Sequence, residues 1–239
     1  MKEGEPKLGI EKEEQPEKEK ELTPEKIKDF QFYIDQVGHL IEVGEYDQAI
    51  DALSNKSKLE TVGWKFEENS LGFTKNITKA DVRQFCEYIG PRSWCDGLLK
   101  RIEVVRPYPV NKDIKIPQEL KHEVSLLYIE EWLHVLQGLK GEPLTEMADK
   151  IAQKIAKKIA KKVAKEVQED PKSKWTYSQA YSQQYSREYH GKKDEIDVTF
   201  YMYQLGIPLT DRFLDYYNRR EALEILEKLE HEKHKKHKK

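Results

Sequence analysis

Residues 124–139, VSLLYIEEWLHVLQGL, decide how the rest of the chain is read. Val124, Leu126, Leu127, Ile129, Trp132, Leu133, Val135, Leu136 and Leu139 fall on nearly every side of a helix. A helix that is apolar all round is a buried helix. Three ionisable side chains are set into the middle of this one. Glu130 and His134, spaced i, i+4, share a face, and Glu131, spaced i, i+3 from His134, lies at its edge. Buried charges are costly unless they are paired, hydrogen-bonded or bound to a metal. The stretch therefore predicts a buried helix carrying a place where two carboxylates and an imidazole are compensated.

The flanks extend this reading. Pro117 stands where proline often opens a helix, which predicts a helix over 118–139. Upstream, LLKRIEVVRP (98–107) reads as a strand and DIKIP (113–117) as a short extended segment. This order, with Glu130-Glu131-Trp132-Leu133-His134-Val135-Leu136-Gln137 on the helix, resembles the zincin metallopeptidases in their glutamate-type H-E-x-x-H-x-x-Q form. In that motif the residues at i and i+4 bind zinc, and the Glu between them activates a water. Downstream, KKDEIDVTFYMYQLGIP (192–208) looks like the family's third-ligand helix, with Glu195 and Asp197 in its E-x-D pattern. The resemblance covers roughly 98–220. It implies Glu130, His134 and Glu195 as metal ligands, Glu131 as general base and Gln137 lining the site. Asp197 either orients a ligand from behind or is simply solvated. The chain departs from the motif at Glu130, which replaces the first His.

That replacement alters the chemistry expected of the site. Two Glu and one His neutralise a divalent ion, weakening it as a Lewis acid and leaving its water less acidic. Zinc is the first expectation, and the harder donors make iron or manganese the alternatives. Either the chain is a metal-dependent hydrolase acting on a peptide or protein, or it keeps a zincin-like fold without catalysis and acts by binding. Glu-x-x-His also occurs in ferritin-like di-iron proteins, which need two such motifs on different helices. The second match here, Glu119-Leu120-Lys121-His122, lies twelve residues earlier on the same predicted helix, some 18 Å away at about 1.5 Å per residue.

Composition narrows the class. The 239 residues carry 36% charged side chains and a net charge of −2, a balance that argues against general nucleic-acid binding. Gly-rich phosphate loops and dinucleotide fingerprints are absent from the sequence. No apolar run is long enough to span a membrane, and the first residues, MKEGEPKLGIEKEEQPEKEKE, lack the core of a signal peptide. A cytoplasmic location is the resulting expectation, with Cys86 and Cys95 reduced.

Four segments are expected. Residues 1–22 form a disordered, charged tail. Residues 23–56 form a helical hairpin opened by Thr23 and Pro24, with a stretch like part of one tetratricopeptide unit and no second copy. Residues 57–229 hold the zincin-like α+β domain, mostly helical, its small sheet packed on the buried motif helix and the hairpin attached as an appendage. Two short strands are read at 59–76 and a Thr78-capped helix at 78–90. Within this domain, 145–170 predicts a basic amphipathic helix with Ile151, Ile155, Ile159 and Val163 on one stripe. The stripe packs on the body, with docking of 150–165 to a membrane surface or acidic partner as the alternative. Tyr177, Tyr181, Tyr185 and Tyr189 make a helical tyrosine face read as packing rather than base stacking. Residues 230–239 form a basic His/Lys tail.

Overall fold

The structure is a computed structural model that describes residues 22–89, 94–110 and 112–236; the expected disorder of the N-terminal tail and the last three residues lie outside that range. The elements run α1 (Pro24–Glu42), α2 (Tyr46–Leu53), α3 (Lys56–Thr61), β1 (Lys65–Phe73), α4 (Lys79–Ile89), β2 (Trp94–Asp96), β3 (Arg101–Pro109), α5 (Gln118–Lys140), α6 (Ala148–Glu169), α7 (Tyr177–Gln204), α8 (Asp211–Asp215) and α9 (Arg219–Lys236). The architecture is α+β and mostly helical. Its sheet has the order β1-β3-β2, with β1 parallel and β2 antiparallel to β3. A parallel pair cannot be closed by a tight turn, and the chain between β1 and β3 passes through α4 and β2.

The buried helix is α5. Twelve of its residues are buried, Glu130 and Glu131 among them, and Gly141 ends it at φ 66, in the left-handed region that glycine adopts without strain. The ring of Trp132 is fully buried, stacked on Phe30 of α1 at 5.3 Å between centroids and tilted against Tyr33 at 5.6 Å. Across the helix, Tyr128 meets Phe66 of β1 edge-on and donates its hydroxyl to Glu68 at 3.2 Å. Helices α1 and α2 thus share one core with α5, so the N-terminal hairpin covers the central helix instead of hanging from it. A Trp132→Ala variant is expected to lose about 3–5 kcal/mol of stability. At roughly 2–4 °C per kcal/mol for a chain of this size, thermal melts should fall by about 6–20 °C.

A second core joins α6, α7 and α9. Ala148, Ile151, Ala152 and Ile155 of α6 are buried in it with Ile196 and Phe200 of α7 and Leu226 of α9. Ile151 and Ile155 of the stripe are taken up by this packing, Ile159 packs partly against it, Val163 is half-buried, and the lysines face outward. The tyrosine face stacks on itself: neighbouring rings of Tyr177, Tyr181, Tyr185 and Tyr189 lie 6.3, 6.1 and 5.9 Å apart and nearly parallel. No helix among the described residues is long and apolar enough to cross a membrane. Cys86 and Cys95 are both free.

Several elements differ from expectation. Where two strands were expected at 59–76, α3 forms first, because Asn55 caps it through the Ser57 amide (3.2 Å) and Leu59 is buried; a single long strand follows Gly63. The strand expected at 98–107 starts at Arg101, after a turn in which Lys100 adopts φ 48. Pro117 sits at the cap of α5 rather than in its first turn. The tyrosine stretch and residues 192–204 form one helix, α7, started by a Thr176/Gln179 capping box and continuing through Gly191. The basic C-terminal stretch remains helical to Lys236.

Candidate metal centre

Three elements meet at the polar face of α5. Spacing i, i+4, i+7 puts Glu130, His134 and Gln137 on one side of that helix. Glu195 reaches them from well inside α7. Arg219, the first residue of α9, closes the group.

Glu130, His134 and Glu195 form a group that could hold a metal ion: each offers one ligand atom, and these atoms lie within 4.8 Å of one another. Three atoms so spaced all fall within about 2.8 Å of a common point, against ligand distances of about 2.0–2.2 Å for zinc with His or carboxylate. Nε2 of His134 lies 3.6 Å from Oε1 of Glu195. The donor set, two carboxylates and an imidazole, suits a divalent cation after a modest contraction.

The support behind His134 is explicit. Asp197 is buried and accepts hydrogen bonds on both oxygens, from Gln137 Nε2 (2.7 Å), the Leu144 amide (2.6 Å), and the amide and hydroxyl of Thr145 (both 2.8 Å). A carboxylate that accepts from Gln137 fixes the amide's orientation, so Gln137 Oε1 faces His134 Nδ1 at 3.4 Å. That oxygen can only accept. Nδ1 therefore carries a proton, and Nε2 is turned toward Glu195 and the ligand point, where a bound ion would displace the second ring proton. Asp197 acts on the histidine through Gln137, and it also ties down the chain after α5. Replacing Gln137 by Leu should weaken binding of divalent metal by about 10–100-fold, read by calorimetric titration, while the circular dichroism spectrum stays unchanged.

Electrostatics mark the centre as strained in charge. Burial raises the Glu130 carboxyl well above its ordinary range, although Arg219 pulls it back. Burial, then the Glu130 charge, raises Glu131. Burial opposes charge on His134, but Glu195 and the other two carboxylates outweigh it and lift the imidazole to about 9. Glu195 is held low: burial is outweighed by His134 and Arg219. Glu131 is buried, and no hydrogen bond or ion pair holds its side chain among the described residues. It lines a cavity of about 1610 Å³ together with Trp64, Trp94, Cys95 and the metal-type group.

Sequence reasoning missed Arg219. Its Nη2 donates to Oε1 of Glu130 and to Oε2 of Glu195 (2.7 Å), and the residue is 2% exposed. The only signal was the demand for a counter-cation, which does not say which of 42 Lys and Arg answers it. The second Glu-x-x-His does not contribute: Glu119 is exposed, and His122 contacts the Pro208 carbonyl at 2.8 Å and stacks on Tyr46. Among the described residues, the metal-type group is the one on α5 and α7.

The chain matches no protein-family model, no curated protein and no solved structure.

Proposed function

We propose that the protein is a metal-dependent hydrolase with a zincin-like motif helix, acting on peptide bonds. Glu130, His134 and Glu195 hold a divalent cation, zinc first and iron or manganese as alternatives. The observation that carries this reading is the convergence of two carboxylates and one correctly presented imidazole nitrogen at the wall of a large cavity. A bound cation would supply Lewis acidity toward a substrate carbonyl.

The chain's own groups do the rest. Glu131 faces the cavity with a carboxyl held above the usual range, so it can take a proton from water at Oε and return it to a leaving amine. Gln137 and Asp197 keep His134 in the tautomer that leaves Nε2 for the metal. Trp64 and Trp94 give the cavity an apolar wall beside the acids.

A second reading, a non-catalytic binding protein of the same fold, draws on one observation. Arg219 already bridges two of the three ligands, as in a purely structural ion-pair network. An assay separates the two. The protein, supplied in turn with zinc, manganese and ferrous iron, is incubated with a mixture of unstructured peptides, and the products are read by mass spectrometry. Cleavage that requires metal supports the hydrolase; intact peptides under every metal would leave only the binding protein.

A further inference from the structure

We propose that Arg219 is a tethered cation that competes with the metal for Glu130 and Glu195, so that its position sets how tightly the site takes a divalent ion. This rests on the metal-site reading above and adds a residue to it.

Four observations converge. First, the contested groups are the same: Nη2 of Arg219 bonds one oxygen of each carboxylate of the metal-type group. The ligand atoms are spread over as much as 4.8 Å, whereas a tetrahedral ion with bonds of about 2.1 Å brings its ligands to about 3.4 Å. Contraction onto an ion draws on the same two carboxylates that hold the guanidinium, which takes Oε2 of Glu195 while Oε1 faces Nε2 of His134.

Second, the guanidinium is placed by its own surroundings. It lies 4.0 Å from the centre of the Phe213 ring and 5.2 Å from that of Tyr217, and Nη1 donates to the Phe213 carbonyl at 3.3 Å. Third, its accommodation is incomplete, because Nε is buried with no hydrogen-bond partner among the described residues. A buried donor left unpaired favours any movement that lets it reach water or a partner.

Fourth, the backbone at its base is unusual. Tyr217 and Asn218, neither of them glycine, adopt φ 52 and φ 61 in succession immediately before Arg219. The left-handed conformation is costly for Tyr217, while asparagine tolerates it more readily. Neighbouring contacts fix this turn: Arg220 binds Asp211 and Asp215 at 3.0 Å each, and Asn218 accepts from Lys192, three residues before Glu195 on α7. Tyr216 and Tyr217 are half-exposed at the cavity's edge. The turn therefore links the cavity mouth to the cation, and a change of its backbone withdraws the guanidinium from the carboxylates.

Calorimetric titration of the full chain with manganese chloride and with zinc chloride tests this. The proteins are the wild type, Arg219→Gln, Arg219→Lys and His134→Ala. The last variant reports binding elsewhere, including the tail histidines, which is subtracted. Arg219→Gln should bind at least about tenfold tighter than the wild type at the His134-dependent site. Its melting temperature should be lower without metal and rise more when metal is added. Arg219→Lys, which keeps a buried charge but not the planar fork, should fall between the two and serves if the Gln variant does not fold. Binding to wild type with no gain in either Arg219 variant would overturn the competition and leave the metal site standing. Binding in the Arg219 variants but not in the wild type would support it in its strongest form. No His134-dependent binding in any protein would overturn the metal site and the competition together.

Discussion

A His134→Ala variant is expected to lose His-dependent metal binding, by at least about 100-fold, beyond the 10–100-fold typical of removing a supporting residue. The argument is geometric and electrostatic. Once an ion displaces its Nε2 proton, His134 supplies the one neutral donor, and that nitrogen is aimed at the ligand point by the Asp197–Gln137 chain. Without it the group reduces to two carboxylates already bridged by Arg219. Two oxygens shared with a guanidinium do not make a competitive site for zinc, which favours four-coordinate closure with nitrogen or sulfur donors. Elemental mass spectrometry after incubation with each metal, at matched protein concentration, checks this. Metal content equal to that of the wild type would place the ion elsewhere on the chain.

Glu131→Gln is expected to separate catalysis from binding. The metal should stay, since Glu131 is not one of the three grouped ligands. Hydrolysis should fall by about 10²–10⁴-fold, the usual contribution of a positioned general base. Stability should move the other way. The Glu131 carboxyl is buried and repelled by Glu130, so its folded-state pKa lies above the unfolded value. Such a group lowers stability progressively as pH rises above the ordinary carboxylate range, because the unfolded chain ionises first. The amide carries no such penalty. Melting temperatures of variant and wild type should coincide in acid and diverge in favour of the variant toward neutral pH. A variant that melts lower than the wild type at neutral pH would make Glu131 a structural residue and remove its role as base.

What the sequence disclosed follows from the range of the interactions involved. Helix α5 was legible because its apolar residues occupy every side, a signal confined to 16 consecutive positions. The place of Glu130 and His134 on one face followed from helical spacing alone. Glu195 entered through a motif likeness, and the structure brings it to the same point from 61 residues beyond His134. Arg219 was not legible: the contact that makes it matter joins positions 89 residues apart, and nothing local distinguishes it from Arg220, which faces surface acids. The α3 helix and the three-residue strand β2 were missed for the opposite reason. They are so short that a cap and a few ladder bonds decide them, and periodicity has too few residues to register. The hairpin of α1 and α2 read as an appendage because its apolar stripe is ordinary; the packing of Phe30 and Tyr33 on Trp132 and of Tyr46 on His122 shows that it covers the central helix.

The most direct test of the account is the position of a bound ion. Crystals soaked in manganese or zinc and measured at the metal's absorption edge would give an anomalous difference map. The account predicts a peak among Glu130, His134 and Glu195, about 2.0–2.2 Å from each ligand atom, with the Arg219 guanidinium moved off the carboxylates. Crystals that take up no metal there, with Arg219 still bridging Glu130 and Glu195, would contradict it.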